Sequence, residues 1–390
     1  MPGALLALLQ FLFALTWIVY VIYLPALAMQ AGIDKGYVPM ILMMDQAIFI
    51  ACDWGAGVYA DRIARTFGRV GATMAGITLA SCAAFLALPW IAPAAGPGAF
   101  LFLTVLWSAT SSALRAPPFV LMARHADPSR GPWIAGVYLF GLGVASALAP
   151  YLGFALKQVD PRIPFVAASV ALALAAMALA HAESAVAQTV QQSARATEPL
   201  PRAAVMSLAA AVLFFAIGFQ VHFSINSAPA YQRLASPEAL PRLMPVFWIG
   251  FNIAVLPATW LAGRFGAVRV MTASGFVGAA ALLACAHSAS LDAILPAQLV
   301  AGAAWAIALT SGFALAMQVG GAERAGFVSG VLFSLLAAAA LVRLAMASGA
   351  VPMPIRTLLD NLPFAAWVIA SMITAPLWAR HPHVQRQRDR

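Results

Sequence analysis

Charge is what this sequence has least of. Asp, Glu, Lys and Arg make up 9% of its 390 residues, against roughly 25% in a soluble globular domain. So few charges cannot cover a soluble surface, so most of the chain is expected to meet lipid. Cysteine is nearly absent too: Cys52, Cys82 and Cys285 all fall inside apolar runs, which excludes a disulfide framework or a Cys-based metal spacing. No Lys or Arg precedes Lys35. The first apolar run therefore lacks the cationic flank of a secretory signal, is too long for its apolar core, and reads as a retained helix. Strand-length alternation of polar and apolar residues is missing, which argues against a membrane β-barrel. There is no H-E-x-x-H, no G-x-S-x-G and no G-x-x-x-x-G-K-[ST], so the sequence predicts no enzyme, no cofactor, no metal site and no ATP-driven step.

What is present is apolar length. The chain is 63% hydrophobic with a mean hydropathy of +0.89. A spanning helix needs about 20 mostly apolar residues. Runs that long occur near residues 4–28, 38–60, 70–92, 98–122, 133–156, 163–182, 203–227, 243–262, 267–288, 292–317, 326–349 and 362–379. A lipid-spanning chain that is not a barrel must be helical, so the fold class is all-α with twelve transmembrane helices. An even number puts both termini on one side. On that side fall 14 of the 22 Lys and Arg; Lys35, Lys157, Arg162, Arg233, Arg242 and Arg356 fall opposite, and Arg115 and Arg343 lie within runs. Basic loops stay cytoplasmic, so both termini are expected in the cytoplasm of a bacterial-type inner membrane. The net charge of +9 then reports topology and contact with the lipid bilayer, with no nucleic acid as partner.

The least apolar long connection follows the sixth run. It is rich in Gln, Ser, Thr and Pro, the composition of a linker. The expected division is 1–182, an N-terminal six-helix half; 183–202, a cytoplasmic linker; 203–379, a C-terminal six-helix half; and 380–390, a basic cytoplasmic tail suited to anionic headgroups.

Between the second and third runs lies a short charged island, Gly57-Val-Tyr59-Ala60-Asp61-Arg62-Ile-Ala64-Arg65. It resembles the G-x-L-A-D-R-x-G-R signature of the loop between helices 2 and 3 in the major facilitator superfamily, with Tyr59 for Leu and Ala64 for the second Gly. A degenerate copy, Leu261-Ala262-Gly263-Arg264-Phe265-Gly266, follows the eighth run with Gly263 in the Asp place. Ala145-Ser-Ala-Leu-Ala149-Pro150-Tyr-Leu-Gly153 is similar to the G-x-x-x-G-P-x-x-G pattern of the family's drug–proton antiporters, and equally suits close helix packing. The resemblance implies a fold of two six-helix halves working by alternating access. It also implies a conformational latch in which Gly57, Asp61, Arg62 and Arg65 meet the start of helix 11 near Arg324 and Gly326.

Ionisable groups inside a membrane are costly and usually face the bundle interior. At about 1.5 Å per residue, Asp45 and Arg343 lie at similar depth near the outer end, and Asp53 and Arg115 at similar depth nearer the inner end. In the resembled fold helices 2 and 11 face each other, and helices 2 and 4 are close. That suggests an Asp45–Arg343 pair between the halves and an Asp53–Arg115 pair within the first, each open to a coupling or a purely structural reading. His222 and Asn226 share a helix face four residues apart. Together with Gln298, Trp17, Tyr20, Trp107 and Trp305 they are candidates for a substrate cavity, although packing roles also fit them. The expected function is secondary transport of a small, amphipathic organic molecule by a monomer, with proton-coupled export. Uptake of a small organic solute or metal chelate, and a non-transporting sensor or assembly factor, remain open at this point.

Overall fold

The computed structural model describes residues 2–66, 70–125, 131–187, 202–349 and 356–379. Most of the linker and all of the basic tail expected from the sequence lie outside the described residues.

Twelve helices are long and apolar enough to cross a membrane. We label them α1 (Gly3–Gln30), α2 (Lys35–Thr66), α3 (Val70–Ile91), α4 (Gly96–Leu121), α5 (Gly131–Ala155), α6 (Arg162–Ala182), α7 (Arg202–Gln232), α8 (Pro237–Phe265), α9 (Ala267–His287), α10 (Leu291–Gly321), α11 (Glu323–Ala347) and α12 (Thr357–Pro376). No strand occurs among the described residues. Several helices outrun the apolar stretches that identify them. Helix α2 begins three residues early and ends six late, because Asp61, Arg62 and Arg65 leave the apolar zone without leaving the helix. Helix α6 continues to Ala187, into the stretch expected as linker, because His181–Ala187 contains no Gly or Pro to stop it.

The boundary between α10 and α11 is the tightest. The two are joined by a tight turn at Gly321, where φ is 56° and ψ −160°. A side chain is strained in that region. The turn leaves α11 starting beside α2 with its first amide groups free. The end of the bundle that carries this turn and Asp61 is called the motif end below; the opposite end is the far end.

Two seams join the halves. Along the first, α2 runs against α11. Gly57 and Gly326 touch backbone to backbone, a Cβ on Gly330 would sit 2.6 Å from the carbonyl of Asp53, and Ser334 Oγ donates to the Ile50 carbonyl at 2.7 Å. Along the second, Gly136 and Gly143 of α5 leave room for Thr259, Phe251 and Asn252 of α8. Lipid supplies no hydrophobic drive for helices to associate, so close backbone approach through small residues does much of the holding.

Candidate functional site

At the motif end both oxygens of Asp61 are occupied. Gly326 N–H donates to Oδ1 at 2.9 Å and Phe327 N–H to Oδ2 at 2.7 Å. These amides lie at the start of α11, so the carboxylate also faces the positive end of the helix dipole. The Gly57–Gly326 contact makes this reach possible by bringing the two backbones together. Arg62 and Arg65 are exposed, so the contact with α11 is made by Asp61 and Gly57.

Just above, three rings close the same end: Phe119 stacks on Phe313 at 4.6 Å, and Phe333 meets Phe313 at 4.7 Å and Phe119 at 5.8 Å. Among the described residues, every ring pair that bridges the halves belongs to this cluster. The sequence reading missed these phenylalanines because one apolar ring among 23 carries no signal of its own.

Arg115 owes its position to a broken helix. Pro117 and Pro118 remove two amide donors and push the preceding residue out of helical geometry. Helix α4 accordingly passes through a 3-10 turn at Ser112–Leu114 and restarts at Pro117. The Tyr138 hydroxyl donates to the freed Leu114 carbonyl at 2.8 Å. At this break Arg115 Nη1 lies 2.8 Å from Asp53 Oδ2. Neither Asp53 oxygen accepts a well-aligned hydrogen bond, so the Arg115 charge is the main hold on the carboxylate, with the Ser112 hydroxyl second. The guanidinium sits over the rings of Phe49 at 4.8 Å and Phe333 at 5.1 Å. The pair is internal to the first half, yet it touches the second through Phe333.

Asp45 and Arg343 are not brought together. Asp45 accepts from Tyr20 at 2.8 Å and from Ser108 at 2.6 Å, so the N-terminal half satisfies both its oxygens. Arg343 follows Ser334, which faces α2, by nine residues; nine steps of 100° amount to half a turn, so it starts from the other side of α11. Equal depth did not imply equal azimuth.

The other candidates fall into two clusters. In the first half, Trp107 lies 4.5 Å from Tyr20 and 6.0 Å from Trp17, centroid to centroid. In the second, Trp305 stacks on Phe219 at 4.8 Å. His222 Nε2 meets Gln298 Oε1 at 2.9 Å, Gln298 donates to Ser227 at 3.3 Å, and Ser227 donates to the His222 carbonyl at 2.9 Å. This buried ring of polar groups lies wholly within the second half. The amide of Asn226 donates to the Leu359 carbonyl at 2.7 Å. Among the described residues no three His, Cys, Asp or Glu side chains cluster to hold a metal.

The sequence matches the family profile described as Major Facilitator Superfamily over residues 6–343. The chain belongs to the major facilitator superfamily. Solved structures agree on the fold. The human organic anion transporter MFSD10 (TETRAN) superposes with a TM-score of 0.77 at 12% identity, covering 95% of this chain and 98% of that one. A bacterial homologue of the iron transporter ferroportin gives 0.76 at 13%, covering 97% and 100%. FucP, a major facilitator transporter in the outward conformation, gives 0.65 at 16%, covering 96% and 99%. No curated protein matches the sequence. Membership makes this protein a membrane transporter rather than an enzyme.

One prediction arises from the latch of this family member. An anion at a helix N-terminus is worth about 0.3–2 kcal/mol, so Asp61→Asn should shift the balance towards opening at the motif end roughly 2- to 30-fold and lower transport. Labelling rates of a single cysteine placed at Arg324 report the shift; unchanged labelling with unchanged flux would sink the idea.

Proposed function

We propose that this chain is a proton-driven secondary transporter that exports a small amphipathic organic molecule by alternating access, as a monomer, with the motif end facing the cytoplasm of a bacterial-type inner membrane. The observation that carries the reading is the Asp53–Arg115 pair. It is buried at 2.8 Å and rests against Phe333 of the opposite half. Protonating Asp53 would release Arg115 from a contact that stabilises the closed motif end, which ties proton occupancy to the arrangement of the halves. The orientation is supported by the 14-to-6 division of basic residues. The neighbours' descriptions name different cargoes, an organic anion for MFSD10 and fucose for FucP, so the fold does not choose among them.

The test is flux in proteoliposomes of known orientation, with a ratiometric pH dye inside and an imposed pH step. Export coupled to protons predicts that cargo moves against its gradient only when protons run the opposite way. Flux in the same direction as protons would reverse the assignment to uptake. Absence of any flux would leave a membrane protein of this fold without transport and reject the reading.

A further inference from the structure

Arg343 is a partly buried cation with no counter-ion among the described residues. It lies in α11, 20 residues beyond Glu323, so about 30 Å from the motif end. Its side chain is partly buried and its Nε is sealed from solvent with no hydrogen-bond partner. Among the described residues the one ion pair belongs to Asp53 and Arg115, and both oxygens of Asp45 are taken by hydroxyls. Arginine cannot shed its proton, so the charge stays. Nε is enclosed, while the two terminal nitrogens are not among the buried unpartnered atoms and are left open to water or to a ligand.

The surroundings explain what could use such a charge. Arg343 lies within about 20° of Leu332 and Leu336 on the α11 helical wheel, being eleven and seven residues away. Leu332 borders Val212 and Phe215 of α7 together with Trp305 of α10. One turn beyond Arg343, Met346 packs with Val221 and Leu359. The amide oxygen of Asn226, at a similar depth on α7, is also buried without a partner. Arg343 therefore sits at the outer end of an apolar stretch of α11, with aliphatic side chains one turn beyond it, one spare acceptor at its depth, and the Phe215 and Trp305 rings about 16 Å nearer the motif end.

We propose that Arg343 anchors an anionic group, a carboxylate or its equivalent, of the transported molecule, so that the cargo class is an amphipathic organic anion. The proposal rests on the transporter reading above. Its chemistry is simple: the guanidinium fork matches a carboxylate in two parallel hydrogen bonds, and the charge that the fold leaves uncompensated is neutralised when cargo arrives.

The experiment uses the full-length protein in nanodiscs and two matched probes, 1-naphthoate and its uncharged amide. Binding is read by thermal shift and by titration. Wild type should bind the carboxylate and ignore the amide; Arg343→Gln should weaken carboxylate binding by at least about 10-fold, and Arg343→Lys should keep part of it. The probe-free melting temperature of Arg343→Gln should equal or exceed that of wild type, since the change removes a buried charge that nothing compensates. A lower one, as after breaking a pair, would show a protein partner and overturn the proposal. So would equal binding of acid and amide, no binding of the acid, or full binding by Arg343→Gln. Counterflow of the same naphthoate in vesicles separates the two levels. Arg343-dependent binding without flux keeps the anion site and rejects transport; flux indifferent to Arg343 keeps transport and rejects the anchor.

Discussion

Asp53→Asn is expected to abolish transport driven by a proton gradient while leaving cargo binding and downhill exchange in place. The carboxylate is fully buried, and the main stabilisation of its charge is Arg115 Nη1 at 2.8 Å, with a smaller contribution from the Ser112 hydroxyl. Burial favours the protonated form of a carboxyl, and a nearby guanidinium favours the ionised form. The balance changes whenever Arg115 moves, and Arg115 is held between Phe49 of α2 and Phe333 of α11. Sliding α11 along α2 therefore changes the proton affinity of Asp53, and protonation in turn frees the slide. Asparagine keeps the shape and removes the titration. Arg115→Ala tests the partner: it strands a buried carboxylate, with a cost of about 3–5 kcal/mol when one member of such a pair is lost. Asp53 then stays protonated, and flux loses its pH dependence. Transport measured against pH for both variants decides. A wild-type pH profile in Asp53→Asn would move the coupling site elsewhere, with His222 next in line.

Gly57→Val is expected to prevent the motif end from closing and to stop transport outright. A Cβ at Gly57 meets the carbonyl of Gly326, and a Cβ at Gly326 meets the carbonyl of Gly57, with Val120 at 2.7 Å and Asp61 Oδ1 at 2.8 Å. The two carbonyls are backbone atoms in two long helices, which cannot step aside as a flexible side chain can. Overpacking usually costs about 1–3 kcal/mol. Here it falls on one conformation, the one in which α2 and α11 touch, so it shifts the equilibrium rather than unfolding the protein. Gly326→Val should behave alike. Gly55→Ala and Gly76→Ala, where a Cβ meets nothing within 4 Å, should be neutral. Labelling of a cysteine at Arg324 should rise in both valine variants; transport at wild-type rates in Gly57→Val would mean the seam does not gate.

The fold was legible in the sequence because membrane helices announce themselves by length and composition, and the Asp61 contact because its charged island resembles the family's loop signature, which implies a meeting with helix 11. The Asp53–Arg115 contact was foreseeable from matched depths together with the closeness of helices 2 and 4 that the resemblance implies; the break at Pro117 and Pro118 that positions Arg115 was not used. Asp45 and Arg343, expected to pair when the far end is closed, stand apart in this structure, whose motif end is closed. Hydroxyl partners such as Tyr20 and Ser108 carry no charge to flag them, and the facing of Arg343 depends on helix rotation that composition does not encode. The Phe119, Phe313 and Phe333 cluster was hidden for a similar reason: apolar rings face lipid or protein with equal ease. The seam itself left a readable trace, Gly326-Phe-Val-Ser-Gly330 followed four residues on by Ser334, the small-residue spacing of close helix pairs.

The most direct test is a distance measurement that needs no cargo. Spin labels at Arg65→Cys on α2 and Arg324→Cys on α11, both exposed at the motif end, are introduced after replacing Cys52, Cys82 and Cys285 by serine. Distance distributions are recorded by double electron–electron resonance in nanodiscs at high and at low pH. A carrier coupled through Asp53 predicts a short distance at high pH, where the ion pair holds the motif end closed, and a longer population at low pH. Asp53→Asn should show the longer population at both. A single distance indifferent to pH in wild type, or an Asp53→Asn variant that follows the wild-type response, would contradict the account.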